Sequence, residues 1–163
     1  MRKLDPNSNL YKIRHSLAHI LAQAVLEIRP NAKLGFGPPT ATGFYYDFDL
    51  DEPLSEEDFP LIEKKMVKII KSGQAFEREE LSSDEMTARL NEDSQGYKIE
   101  QVEDLTAQNA TLSLYRNGPF WDLRWKFIPL LPKKKKIWKR HCLVSSLKNN
   151  LPMQLTPLWL NTE

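Results

Sequence analysis

The chain of 163 residues contains a single cysteine. That excludes an internal disulfide framework and any zinc site built on several thiolates of this chain. It contains no apolar run approaching the roughly 18 residues of a membrane span. Its first nine residues, Met-Arg-Lys-Leu-Asp-Pro-Asn-Ser-Asn, hold no apolar segment of the secretory type. Together these absences point to a reducing, cytoplasmic setting. Glycine is scarce and unevenly placed. All six glycines, at positions 35, 37, 43, 73, 96 and 118, precede residue 119.

Acidity is also missing from one end. Residues 1–122 carry 14 basic and 21 acidic side chains, net −7. Residues 123–163 carry 9 basic and 1 acidic, net +8. The overall charge of +1 conceals this split. A shift in charge and glycine at one position marks a boundary. Two segments follow: 1–122, and a basic, glycine-free tail over 123–163. Lys133–Lys136 and four prolines (129, 132, 152, 157) argue against regular structure in that tail.

Within the first segment the pattern is globular. Ile13, Leu17, Ile20, Ala24 and Ile28 recur at helical spacing over residues 9–29, with Ser8 or Asn9 as cap and Pro30 as stop. Phe44–Asp51 alternates strictly, with Phe44, Tyr46, Phe48 and Leu50 on one side, and predicts a half-buried strand. Ser55-Glu-Glu-Asp58 resembles a capping box for a helix running to Ser72, with Gly73 as stop. Its buried face is Phe59, Ile62, Met66, Ile69 and Ile70. Ala75–Leu81 reads as a strand, and Ser82 caps a short helix to about Asn91. Residues 97–102 are ambiguous, and 111–122 read as extended or as a hairpin through Asn117-Gly118-Pro119. The irregular mixture predicts an α+β fold.

Chemistry concentrates in Arg14-His-Ser-Leu-Ala-His19. Residues four apart share a helix face, so two imidazoles can converge on one metal or one water. Both histidines lie two residues beyond core positions, about 200° around the helix, which takes them off the apolar stripe. They therefore either face solvent or line a cleft. His141 and Cys142 are the other residues of metal-ligating type, but neighbours on a regular element point apart. Gly35-Phe-Gly37-Pro-Pro lacks the lysine and following helix of a phosphate loop and reads as a tight turn. Asp49 and Asp51 read as a solvated acidic face, with a weak cation site as the alternative.

Taken together, Arg14-His-Ser-Leu-Ala-His19, Arg29-Pro-Asn31, Gly37-Pro38, Gly43-Phe-Tyr-Tyr-Asp-Phe-Asp49, the Ser-Glu-Glu-Asp helix and Gly96-Tyr-Lys98 resemble the editing domain of bacterial threonyl-tRNA synthetases. A related domain occurs in alanyl-tRNA synthetases. The resemblance covers roughly residues 10–122. It implies the editing-domain fold, incomplete at its C-terminal end, and hydrolysis of serine wrongly joined to threonine tRNA. It implies His15 and His19 as the first pair of site residues, Lys98 as the active-site lysine, Tyr46 as a pocket tyrosine and Asp122 as the acid preceding a second pair. In the alanyl relatives the equivalent quartet holds zinc, so zinc at His15 and His19 is one reading and a metal-free site the other. ATP would serve only a ligase domain, which this sequence does not contain. The implied partner is threonine-specific tRNA, with no membrane or DNA partner; oligomeric state is left open.

The pattern then departs from the family. Where the family continues Asp-Leu-Cys-x-Gly-Pro-His, this chain has Arg124 for the cysteine and Ile128 for the histidine. A guanidinium is no metal ligand. The break coincides with the loss of glycine and acidity, which predicts an out-of-frame translation from about residue 124 onward. The expectation is a synthetase fragment with half an editing site and little or no deacylase activity. Two alternatives predict differently: a freestanding deacylase with ligands supplied by the tail, and a tRNA-binding protein using Lys133–Lys136.

Overall fold

The computed structural model describes residues 4–124. The expectations for Ile128, Lys133–Lys136, His141 and Cys142 lie outside the described residues. In chain order the elements are α1 (Asn9–Leu26), β1 (Lys33–Leu34), β2 (Phe48–Asp49), α2 (Asp58–Ser72), β3 (Phe76–Glu80), α3 (Ser83–Glu92), α4 (Gly96–Ala107), β4 (Ser113–Asn117) and β5 (Phe120–Arg124). The class is α+β, as the sequence predicts. Among the described residues no helix is long and apolar enough to cross a membrane.

Local signals set the helix ends. Ser8 caps α1, its hydroxyl accepting from the Tyr11 N–H at 3.2 Å. The helix stops at Leu26 with Glu27 as C-cap, three residues short of the predicted end. Gly73 ends α2 in the left-handed region at φ 64°, where a side chain would be strained. Ser82 and Glu85 form a true capping box on α3. The predicted box at Ser55 is different. The Ser55 N–H and hydroxyl both donate to the Asp58 carboxylate, forming a turn ahead of the helix, and α2 begins at Asp58. The ambiguous stretch at 97–102 is helical, inside α4.

The predicted strand over 44–51 keeps its alternation but not its ladder. Phe44 and Tyr46 are buried and Asp47, Asp49 and Asp51 exposed, yet only Phe48–Asp49 pairs as strand, with Lys33–Leu34. The reason lies opposite. Gly35 N–H donates to the Asp47 carbonyl and Asp47 N–H to the Phe36 carbonyl, and then Pro38 and Pro39 offer no N–H. The Gly35–Gly37 segment is thus extended backbone against Asp47, not only a tight turn.

β3, β4 and β5 form an antiparallel sheet in the order β3-β4-β5. Gly118, at φ 60°, opens the two-residue connection from β4 to β5, which requires that backbone at its first position. Strand alternation then divides the sheet. Leu114 and Leu123 face Met86, Leu90, Val102 and Leu105 of α3 and α4. Phe120 joins the other core, built from α1, Ile62, Met66 and Ile69 of α2, and Leu34, Phe44 and Tyr46. Asp122, two residues beyond Phe120, shares that second face.

Candidate functional site

α1 is enclosed nearly all round: every residue from His15 to Val25 is buried. His15 is 0% and His19 1% exposed, which removes the solvent-facing alternative. The apolar stripe marks the side of α1 turned to α2. The histidine side meets a second partner, the sheet. The His19 ring lies edge-on to Phe120 and Phe76, at 5.7 and 6.1 Å between centres. One turn away, His15 and His19 stand edge to face at 5.0 Å.

Asp122 is the hub. Lys98 Nζ lies 2.8 Å from its Oδ1. Tyr46 donates its O–H to Oδ2 at 2.8 Å, and His19 Nε2 lies 3.9 Å from the same oxygen. All these side chains are at most 7% exposed. Burial pushes the Asp122 carboxyl up, but the charges of Lys98 and His19 and the hydrogen bonds from Lys98 and Tyr46 outweigh it and hold the group below the ordinary carboxylate range. Asp122 is therefore ionised at neutral pH. Lys98 Nζ is also framed by the rings of Phe36 and Tyr46, at 5.9 and 5.7 Å from their centres.

Of the five residues singled out in the sequence, His19, Tyr46, Lys98 and Asp122 thus meet from four separate segments, and His15 lies against His19. A cavity of about 280 Å³ reaches Lys98 and Asp122 past Leu34, Gln95, Pro119 and Trp121; neither histidine lines it. Among the described residues no group of three His, Cys, Asp or Glu is arranged to hold a metal ion. Two imidazoles alone supply half of a closed tetrahedral zinc set.

Several contributors escape the sequence reading. Phe120 and Phe76 wall His19, and strand alternation alone could have paired Phe120 with Asp122. Phe36 and Gly37 are missed for a different reason. A Cβ on Gly37 would stand 2.2 Å from Cδ2 of Tyr46, so the glycine is what lets the ring lie flat against the backbone. Asn117, fully buried, donates to Gln23 at 2.7 Å and closes the far end of the α1–sheet contact.

No protein-family model matches the chain. Curated relatives do. The chain is 52% identical over 118 residues to the threonine–tRNA ligase of Dehalococcoides mccartyi strain BAV1, covering 72% of this chain and 20% of that protein. It is 46% identical over 116 residues to the threonine–tRNA ligase of Rhodopirellula baltica, covering 71% and 16%. It is 42% identical over 121 residues to that of Borrelia duttonii, covering 74% and 20%. The chain spans about one fifth of the length of the relatives it matches.

Proposed function

We propose that this chain, threonyl-tRNA synthetase-related over about seven tenths of its length, carries part of a hydrolytic editing site for serine esterified to threonine tRNA. The observation that supports the reading is the buried cluster of His19, Tyr46 and Lys98 around Asp122, with His15 against His19. A hydrophobic core of this size gains nothing from burying a lysine, an aspartate and two histidines together, since each charge must be desolvated.

The chemistry asks for such a site. Serine lacks one methyl of threonine, and a missing methylene gives only about 1–3 kcal/mol of discrimination in binding. A second, hydrolytic sieve removes what binding admits. Water adds to the ester carbonyl carbon, the acyl–oxygen bond to the ribose breaks, and the ribose oxygen takes a proton. The Lys98 ammonium, fixed by an ionised Asp122 and facing a cavity, is suited to the negative charge that develops on the carbonyl oxygen. Tyr46 fixes the second Asp122 oxygen, so the carboxylate orients the lysine rather than exchanging protons. His19 stands behind, 3.9 Å from the same carboxylate, with His15 against it.

The family pattern places a cysteine and a histidine where this chain has Arg124 and Ile128. On this reading residues 1–122 are the partial editing domain and 123–163 an out-of-frame basic tail. Substrate recognition is retained and turnover is lost. The test uses the full chain and non-hydrolysable 3′-seryl- and 3′-threonyl-amino-adenosine. The seryl amide binds, more tightly than the threonyl amide, and Asp122→Ala weakens it at least tenfold. Authentic seryl-tRNA is hydrolysed at close to its spontaneous rate. Equal binding of the two amides, or none, overturns the editing reading. Rapid hydrolysis overturns the loss of turnover.

A further inference from the structure

Gln95 precedes α4 and occupies its N-cap position, where Ser, Thr, Asp or Asn usually bonds the helix's own amides. Its side chain makes no such bond. It reaches instead across the molecule to β1. Its Oε1 accepts from the Leu34 N–H at 2.7 Å, and its Nε2 donates to the Ala32 carbonyl at 3.2 Å. Residues 32 and 34 point their amide groups to the same edge of an extended strand. The opposite edge is the one that pairs with Phe48–Asp49 and Asp47. The carboxamide, with one acceptor and one donor end, therefore reads the outer edge of β1 as a neighbouring strand would.

The consequence falls on Lys98. Its backbone N–H donates to the Gln95 carbonyl at 3.0 Å, so Gln95 and Lys98 share the first turn of α4. Asp122 and Tyr46, the partners of Lys98, belong to the sheet and to the segment paired with β1. α4 itself packs by Val102 and Leu105 into the other core. Lys98 thus has to cross from one core to a carboxylate lying against the other. The Gln95 clamp fixes how far the start of α4 stands from β1.

We infer that Gln95 is a positioning residue: by holding the start of α4 to the edge of β1 it sets the register of Lys98 on Asp122. The inference rests on the proposed role of Lys98, but its test does not use activity. The full chain is treated briefly with acetic anhydride, and the labelling rate of each lysine is read by mass spectrometry. Lys98, 3% exposed and paired, reacts slowly in the parent. In Gln95→Ala, Lys98 is labelled about ten- to thirtyfold faster, the effect of losing two hydrogen bonds of roughly 1 kcal/mol each. Lys65, a part-exposed lysine of α2 paired with Glu27, serves as control and keeps its rate. Gln95→Glu keeps the acceptor for Leu34 and lies between the two. Unchanged Lys98 labelling in a cooperatively folded Gln95→Ala overturns the inference. If Gln95→Ala exposes every lysine, Gln95→Glu decides: Lys98 selectively faster supports the clamp, and Lys98 at the parent rate refutes it. Failure of the seryl-amide binding test would refute the editing reading and leave this result standing.

Discussion

Replacing Lys98 by methionine keeps the aliphatic stem and removes the charge that Asp122 was buried against. The Lys98–Asp122 separation is 2.8 Å, and both side chains are under a tenth exposed. Removing one partner of such a pair costs about 3–5 kcal/mol, because the other charge stays desolvated. Tyr46 still donates to Asp122 at 2.8 Å, which places the expected loss near the lower end, about 3 kcal/mol at pH 7. The sign of the pH dependence is the sharper test. In the parent, the folded carboxyl lies below its ordinary range. Its contribution is therefore present above that range and is lost as pH falls through the folded value. In Lys98→Met burial, the largest single influence, is opposed only by His19 and the Tyr46 hydrogen bond, so the carboxyl moves upward. The variant then takes up a proton in the folded state, and its deficit shrinks as pH falls from 7 to about 4, by roughly 1 kcal/mol or more. Urea unfolding of parent, Lys98→Met, Asp122→Asn and the double variant at both pH values gives the cycle. The double variant is expected to lose at least about 2 kcal/mol less than the sum of the singles. A deficit below about 1 kcal/mol, or one that does not change with pH, would refute a buried, ionised Asp122.

Two further changes probe the frame around the site. Gly37→Ala drives a methyl into the Tyr46 ring, 2.2 Å from Cδ2, and should cost about 1–3 kcal/mol in urea unfolding while weakening the Tyr46–Asp122 bond. An alanine accepted with no loss would mean the ring does not lie where described. Ser82→Ala removes the capping box at the start of α3, the end opposite Leu90, which lines the cavity, and should lower stability by about 1 kcal/mol without altering seryl-amide affinity; a fall in affinity would mean that the start of α3 sets the position of the cavity wall.

Much of this protein is legible along the chain because the signals are local. Ser8, Gly73 and the Ser82–Glu85 box act within one turn of the residues they cap, so the ends they mark are found nearly where expected. The side-to-side alternation of 44–50 is legible for the same reason. Its short ladder is not, because the missing donors belong to Pro38 and Pro39 on the facing segment. α4 is ambiguous in sequence because its N-cap residue, Gln95, supplies no local cap and bonds instead to a strand more than sixty residues earlier. His15 and His19 stand out by their four-residue spacing, whereas Tyr46, Lys98 and Asp122 are named only through a motif resemblance, which carries no geometry.

The sequence by itself determined the α+β class, the helix caps, the apolar faces and the break in charge and motif near residue 123. These depend on neighbours a few bonds apart. Only the tertiary structure decided that His15 and His19 are interior rather than solvated. Helical periodicity reports one apolar stripe, whereas α1 is closed on two sides, by α2 and by the sheet. It likewise decided that Asp122 is the hub. The hairpin register puts Asp122 and Phe120 on the α1 face and Leu123 on the other, and a shift of one residue would exchange them.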